Sequence, residues 1–126
     1  MQFPGLHGGC RNLRFDIRVR GGFQIIQLAS DLGILEYVGL TELFEKLSAN
    51  GPPRILLDMS TVTSINSTCG AVIIEHWKQY TEAGGYFGLL SPSYVTLQFL
   101  TVAGIEHLVE CFDSVEDALE AGSAAE

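Results

Sequence analysis

The residues best suited to chemistry crowd into one stretch of this 126-residue chain. Between the apolar runs "ILLDM" and "GAVII", seven of the ten residues 60–69 are Ser, Thr or Asn: Ser60, Thr61, Thr63, Ser64, Asn66, Ser67 and Thr68. Cys69 closes the patch. Hydroxyls can accept a phosphoryl group, which adds about two negative charges and three strong hydrogen-bond acceptors. A thiol in the first turn of a helix can acquire a lowered pKa and become nucleophilic. No base or resolving cysteine stands near Cys69 in the sequence, and a small buried Cys is common in cores. The plainest role for the patch is punctuation, with Asn66 or Ser67 as a helix N-cap.

Other chemistries lack their residues. Cys10, Cys69 and Cys111 are odd in number and far apart, and His7, His76 and His107 are equally scattered, so neither a disulfide framework nor a metal site is expected. No G-x-G-x-x-G or G-x-x-x-x-G-K-[ST] loop is present, and "GLHGG" near the start has no preceding strand and no phosphate-loop Lys. No enzyme constellation and no cofactor are implied. The formal net charge of −8 argues against nucleic acid as a partner. No apolar run reaches the ~20 residues that a membrane span needs. The start, "MQFPGLHGGCRN", has neither a basic region nor an apolar core, so the cytoplasm is the expected location.

Charge is segregated along the chain. Arg11, Arg14, Arg18 and Arg20 make four of the seven basic residues, whereas seven acids and no Lys or Arg follow from Glu106 onward. Such an arrangement suits either two solvated faces or a docking patch.

The elements that must hold the polar patch follow from periodicity. "LRFDIRVR" (13–20) alternates as a strand with one wet face, Gly21-Gly22 is a two-residue hairpin signal, and "FQIIQLAS" (23–30) reads as the return strand. Leu35, Val38, Leu43 and Leu47 mark a helix ending at Asn50-Gly51. "RILLDM" (54–59) has the continuous apolar character of a central strand covered on both faces. Ile73, Trp77 and Tyr80 place a helix after the patch, with Gly84 as its C′ residue. "YFGLLS" reads as a strand; "SPSYVTLQFLTVAG" as a helix capped by Ser91, with Pro92 in its first turn and Gly104 at its end; "HLVECF" as a final strand; and "DSVEDALEAG" as a helix with a Ser114/Asp117 capping box. The order β-β-α-β-α-β-α-β-α predicts a single α/β domain of about five strands and four helices, with a mostly parallel sheet and an antiparallel N-terminal hairpin. Residues 1–11 and 122–126 read as loose ends. Ile55, Leu56, Leu57, Ile73, Trp77 and Phe99 are the expected core. In such a sheet, function gathers at the carboxyl ends of the strands, which is where the polar patch falls.

The stretch from "ILLDMSTVTSINSTCGAVII" through "GGYFGLLSPS" and "VAGIEHL" to "DSVEDAL" resembles the STAS domain of bacterial anti-sigma factor antagonists, over roughly residues 13–121. The shared pattern is an apolar strand ending in D/N-L/M-S, a D-S-S-G-L-type loop, a helix, a GG before the next strand, and a D-S-x-E-x-A-L final helix. This resemblance implies a STAS fold and a non-enzymatic regulatory protein. It implies an anti-sigma factor with serine kinase activity as partner, and a serine phosphatase that reverses the modification. By position, the phosphorylated residue would be Ser67, with Thr68 at the second Ser. The partner-binding surface would take in Asp31, Ser64, Asn66, Ser67, Thr68 and Cys69. The chain departs from the pattern at Asn66, where Asp is usual, at Cys69-Gly70 in place of Gly-Leu, and at Gly33 in the acidic turn. Related STAS domains serve stress-signalling assemblies or lipid-transport ATPases without a phosphorylation cycle, and this alternative stays open.

Overall fold

Two glycines in left-handed conformation, Gly21 (φ 59°) and Gly22 (φ 85°), turn β1 (Phe15–Arg20) back into β2 (Phe23–Leu28), with Arg20 opposite Phe23. Positive φ at both turn positions matches the right-handed twist of the flanking strands, and only glycine adopts it without strain. A computed structural model describes residues 10–125, with side chains over residues 10–121. After the hairpin come α1 (Tyr37–Leu47), β3 (Arg54–Asp58), α2 (Ser67–Glu82), β4 (Tyr86–Leu90), α3 (Tyr94–Ala103), β5 (Cys111–Phe112) and α4 (Val115–Ala125). The five strands form one sheet in the order β1-β2-β3-β4-β5; β1 is antiparallel to β2, and the other pairings are parallel. This is the α/β architecture expected from the element order.

The sheet has two unequal faces. Phe15, Ile26, Leu28, Ile55, Leu57, Phe87 and Leu89 form a large core with Leu40, Leu43 and Phe44 of α1 and Val72, Ile73 and Tyr80 of α2. On the other face Phe23, Ile25, Leu56 and Leu90 pack beneath Val115 and Ala118 of α4. Ile55, Leu56 and Leu57 are all fully buried, as a strand covered on both sides requires.

Several local expectations are corrected. The buried residues of α1 are Gly39, Leu40, Leu43 and Phe44, while Leu35 and Val38 are exposed. The helix starts only at Tyr37, so Leu35 lies in the turn before it. Trp77 and Phe99 are half-buried and pack against the core rather than in it. The inner line of α2 runs Cys69, Val72, Ile73, His76 and Tyr80, which leaves Trp77 on the rim. Ile73 and Tyr80 belong to both stripes, so spacing alone did not separate the rows. His76 is tolerated inside because its Nδ1 donates to the Val72 carbonyl at 2.9 Å and its ring stacks on Phe44 at 4.9 Å.

Ser93, not Ser91, caps α3, accepting from the Thr96 N–H at 3.3 Å. The backbone N–H of Ser91 is committed to the Phe112 carbonyl at 2.8 Å, so Ser91 ends the sheet. β5 shrinks to Cys111–Phe112 because Leu108 and Val109 turn back onto the Ile105 carbonyl. Gly84 (φ 92°) is the C′ residue expected after α2, and Ser114 accepts from the Asp117 N–H at 3.1 Å as one half of the capping box. Of the segments read as loose, residues 1–9 lie outside the described residues, Cys10 is buried, and the backbone of α4 runs on through Ala125.

Candidate functional site

β2 and β3 run parallel, so the chain leaves both at the same end of the sheet. The two exits are knitted together by backbone. Leu32 forms a parallel bridge with Ile65: the Leu32 N–H donates to the Ser64 carbonyl at 3.0 Å, and the Asn66 N–H donates to the Leu32 carbonyl at 2.8 Å. Thr61 Oγ1 donates to the Leu28 carbonyl at 2.5 Å, and Asp58 Oδ1 accepts from the Ser60 N–H at 2.9 Å. Short polar side chains suit this work, because they reach neighbouring backbone without spanning away from it. Leu32, Val62 and Ile65 point inward and anchor the loop to the core.

Asp31 is a clasp across the two exits. Its Oδ1 accepts from the Thr63 N–H at 2.7 Å, the Ser64 N–H at 3.2 Å and the Thr63 hydroxyl at 3.2 Å. These bonds, led by the two backbone N–H groups, favour the ionised form and hold the Asp31 carboxyl below the usual carboxylate range. Asp31 itself remains exposed. On the same connection, Glu36 Oε1 accepts from the Gly33 N–H at 2.8 Å.

Helix α2 begins where the loop ends. Asn66 is its N-cap, in extended conformation, with Oδ1 accepting from the Cys69 N–H at 2.9 Å. The Gly70 N–H donates to the Asn66 carbonyl at 3.0 Å. The first two helical residues, Ser67 and Thr68, are therefore the ones whose hydroxyls stand at the positive end of a 16-residue helix, and both are exposed. An anion at this position sits in a favourable field.

Cys69 behaves differently. Its side chain is fully buried, its Sγ donates to the Gly33 carbonyl at 3.4 Å, and desolvation, helped by the Glu36 carboxylate, pushes the thiol up to about 11. It is a packed, protonated thiol. Cys69 thus leaves the partner-binding set expected from the sequence, since a partner on the surface cannot reach it. The other five residues of that set, Asp31, Ser64, Asn66, Ser67 and Thr68, are gathered at one end of the sheet, all exposed except half-buried Asn66.

Apolar residues flank these hydroxyls on two sides. On the α1 side, Ile34 is 80% exposed and Leu35 67%, directly beyond the Leu32–Ile65 bridge. On the other side, α3 lies so close to the start of α2 that a Cβ on Gly70 would come within 2.9 Å of the Phe99 ring. The glycine in the Cys69-Gly70 departure therefore lets the helices meet. Val95, Gln98, Phe99 and Val102 line a shallow hollow of about 220 Å³, and Val102 is 89% exposed. These flanks carry one signal in the sequence: no charged residue occurs from Ser91 to Ile105, so α3 is uncharged all round. The clasp between Asp31 and Thr63 had no sequence signal, because it joins residues 32 positions apart.

Among the described residues no helix is long and apolar enough to cross a membrane, and no group of three His, Cys, Asp or Glu side chains is placed to hold a metal ion. The STAS domain model matches residues 14–118. A Thermotoga neapolitana protein whose name places it among the anti-sigma factor antagonists is 32% identical over 77 residues, covering 61% of this chain and 68% of the relative. The crystal structure of a Thermotoga maritima protein, titled as an anti-sigma factor antagonist, superposes with a TM-score of 0.75 at 24% identity, covering 85% of this chain and 92% of that one. The anti-sigma factor antagonist SpoIIAA in its unphosphorylated form shares the fold at 12% identity, with a TM-score of 0.65 and coverage of 89% and 99%. With its sheet order, its β3–α2 loop and the family match over nearly the whole described chain, the protein belongs to the STAS domain family.

Proposed function

We propose that this protein is an anti-sigma factor antagonist, a non-enzymatic module that binds an anti-sigma factor with serine kinase activity and is switched by phosphorylation of Ser67. A serine phosphatase resets it, and the cycle runs in the cytoplasm. The observation that carries this reading is the position of Ser67: exposed, first in α2, behind the Asn66 cap. The names borne by the Thermotoga relatives support the antagonist part of this reading.

The physical mechanism is a difference between free and docked states. In the free protein, a phosphate on Ser67 meets the positive end of α2 and water, so the fold tolerates it. In the docked state the same charge would be pressed between Ile34 and Leu35 on one side and Val95 and Val102 on the other, where desolvation disfavours it. The unmodified loop offers small hydroxyls in an apolar frame, which suits a protein partner.

Binding to the anti-sigma factor encoded in the same genome, measured by calorimetry, provides the test. Ser67→Asp should weaken binding at least about tenfold, or ~1.4 kcal/mol, and leave the thermal midpoint nearly unchanged. Ser67→Ala should bind and should abolish labelling by that kinase with ATP, as read by mass spectrometry. Phosphate on Thr68 or Ser64 would relocate the switch. No phosphate, together with unchanged binding by Ser67→Asp, would overturn the phosphorylation cycle and favour a STAS module that docks without one, as in stress-signalling assemblies or lipid-transport ATPases.

A further inference from the structure

The basic segment near the N-terminus has no part in the loop at the start of α2. β1 forms one edge of the sheet; among the described residues its only strand neighbour is β2. The Ala29 N–H donates to the Arg14 carbonyl at 2.8 Å, which fixes the alternation: Arg14, Asp16, Arg18 and Arg20 bond toward β2. The N–H and C=O groups of Phe15, Ile17 and Val19 therefore face outward from the sheet. Val19 is also 58% exposed, although it belongs to the apolar side of the strand. An edge of this kind is a template for another strand.

We propose that this edge pairs with the same edge of a second copy of the chain, antiparallel about a two-fold axis at Ile17, to form one continuous sheet across a weak homodimer. The charges select the register. Centred on Ile17, Asp16 faces Arg18 of the other copy, twice by symmetry, at the close non-hydrogen-bonded positions where cross-strand ion pairs count most. Moving the axis to Asp16 sets Asp16 against Asp16, and moving it to Arg18 sets Arg18 against Arg18. The chosen register also places each exposed Val19 beside Phe15 of the other copy. The ladder spans residues 15–19, bounded at one end by the Cys10–Leu13 bridge and at the other by the Gly21 turn.

Within the ladder each copy contributes one acid, Asp16, and one base, Arg18, so the paired segment is neutral although each copy carries −8. The like-charged end pair, Arg14 facing Arg20, is softened because Arg20 is already ion-paired with Glu116 at 2.9 Å. Asp16 has an interaction within its own chain as well, so the new pair adds to an existing one. Five residues per strand make a small interface, which implies a concentration-dependent dimer in the range above about 10 μM rather than an obligate one.

Sedimentation equilibrium of the full chain from 10 μM to 1 mM, at two salt concentrations, reads the association. Asp16→Arg and Arg18→Asp should each weaken the dimer at least about tenfold, while the double variant D16R/R18D should recover to within about threefold of the parent, because the pairs are restored with exchanged sign. Added salt should shift the parent and the double variant by the same amount, because both carry the same net charge and the same kind of cross-strand pairs. Val19→Lys should abolish association, with circular dichroism confirming that the fold is retained. A strictly monomeric parent at 1 mM would overturn the proposal. So would failure of the double variant to recover, or hydrogen-exchange protection of the Ile17 and Val19 amides that does not change with concentration.

Discussion

At its first turn, α2 is held by an Asn66 cap and by a loop clasped to Asp31, all at the surface; near its other end, Tyr80 and His76 sit among Phe44 and Phe87 in the core. Tyr80 OH donates to the Phe44 carbonyl at 2.5 Å, its ring meets Phe44 edge-on at 6.1 Å, and Phe87 lies 5.6 Å away. Burial there pushes the Tyr80 hydroxyl well up, so it stays a donor at every physiological pH. One end of the helix is fixed by apolar area and ring packing, which cannot be altered cheaply. The other is fixed by individual hydrogen bonds from short side chains, each worth little alone. A surface that must accept or shed a charged group is safer on the second kind of support, because a change there leaves the core untouched.

The largest effect that would sharpen this contrast is expected at the aromatic end. Phe44→Ala should cost on the order of 3–5 kcal/mol in urea unfolding, since it empties the centre of the cluster. Trp77→Ala should cost less, about 2 kcal/mol, because Trp77 is half-exposed on the rim. Equal losses from the two would mean that Trp77 belongs to the core after all.

At the polar end, Asn66→Ala should cost about 1 kcal/mol through loss of the cap to the Cys69 N–H. Asn66→Asp should hold stability or raise it by a few tenths, because it keeps the acceptor and adds a negative charge at the helix start. A loss above ~3 kcal/mol for Asn66→Ala would erase the distinction between the two ends.

Asp31 adds a pH signature. Its folded-state pKa lies below the unfolded value, so its contribution is present above the unfolded pKa of about 4 and is lost as pH falls through the folded value. Thermal melts of the parent and Asp31→Asn should therefore differ at pH 7 and converge as the pH is taken below about 4. A difference that persists unchanged to pH 2.5 would show that the carboxylate charge does not hold the loop.

The smallest effect is expected at Cys69. Cys69→Ser keeps a donor for the Gly33 carbonyl and should change stability by no more than ~1 kcal/mol, with no redox-dependent change in behaviour. In the native protein, maleimide at pH 7 should leave Cys69 unlabelled, as its burial and raised pKa require. Rapid native labelling would place the thiol at the surface and break the comparison from the other side.

Much of this was legible in the sequence because it is local or periodic. The alternation of Phe15, Ile17 and Val19, the Gly21-Gly22 turn, the unbroken run Ile55–Leu57 and the glycine after α2 each specify an element through backbone preference or burial pattern. Asn66 as a cap is equally local, since the acceptor and the Cys69 N–H lie three residues apart. Ser91 and Ser93 were harder to separate, because both precede a helix around Pro92, and the choice was made by a bond from Ser91 to Phe112 across the sheet. The face of α2 followed the same pattern: Trp77 and His76 are neighbours in sequence, and the position of α1, which presents Phe44, put His76 inside.

Propensity, periodicity and short-range hydrogen bonds act within a few residues, and they set the order of strands and helices, the location of the hydroxyl patch between β3 and α2, and the cap at Asn66. Tertiary structure alone decided what surrounds that patch. Asp31 reaches Thr63, Gly33 reaches Cys69, and Phe99 reaches Gly70 only after parallel β2 and β3 bring their exits together and α3 folds against α2. Those contacts join residues about 30 or more positions apart, where neither periodicity nor backbone preference carries information and only the closing of the sheet fixes distance.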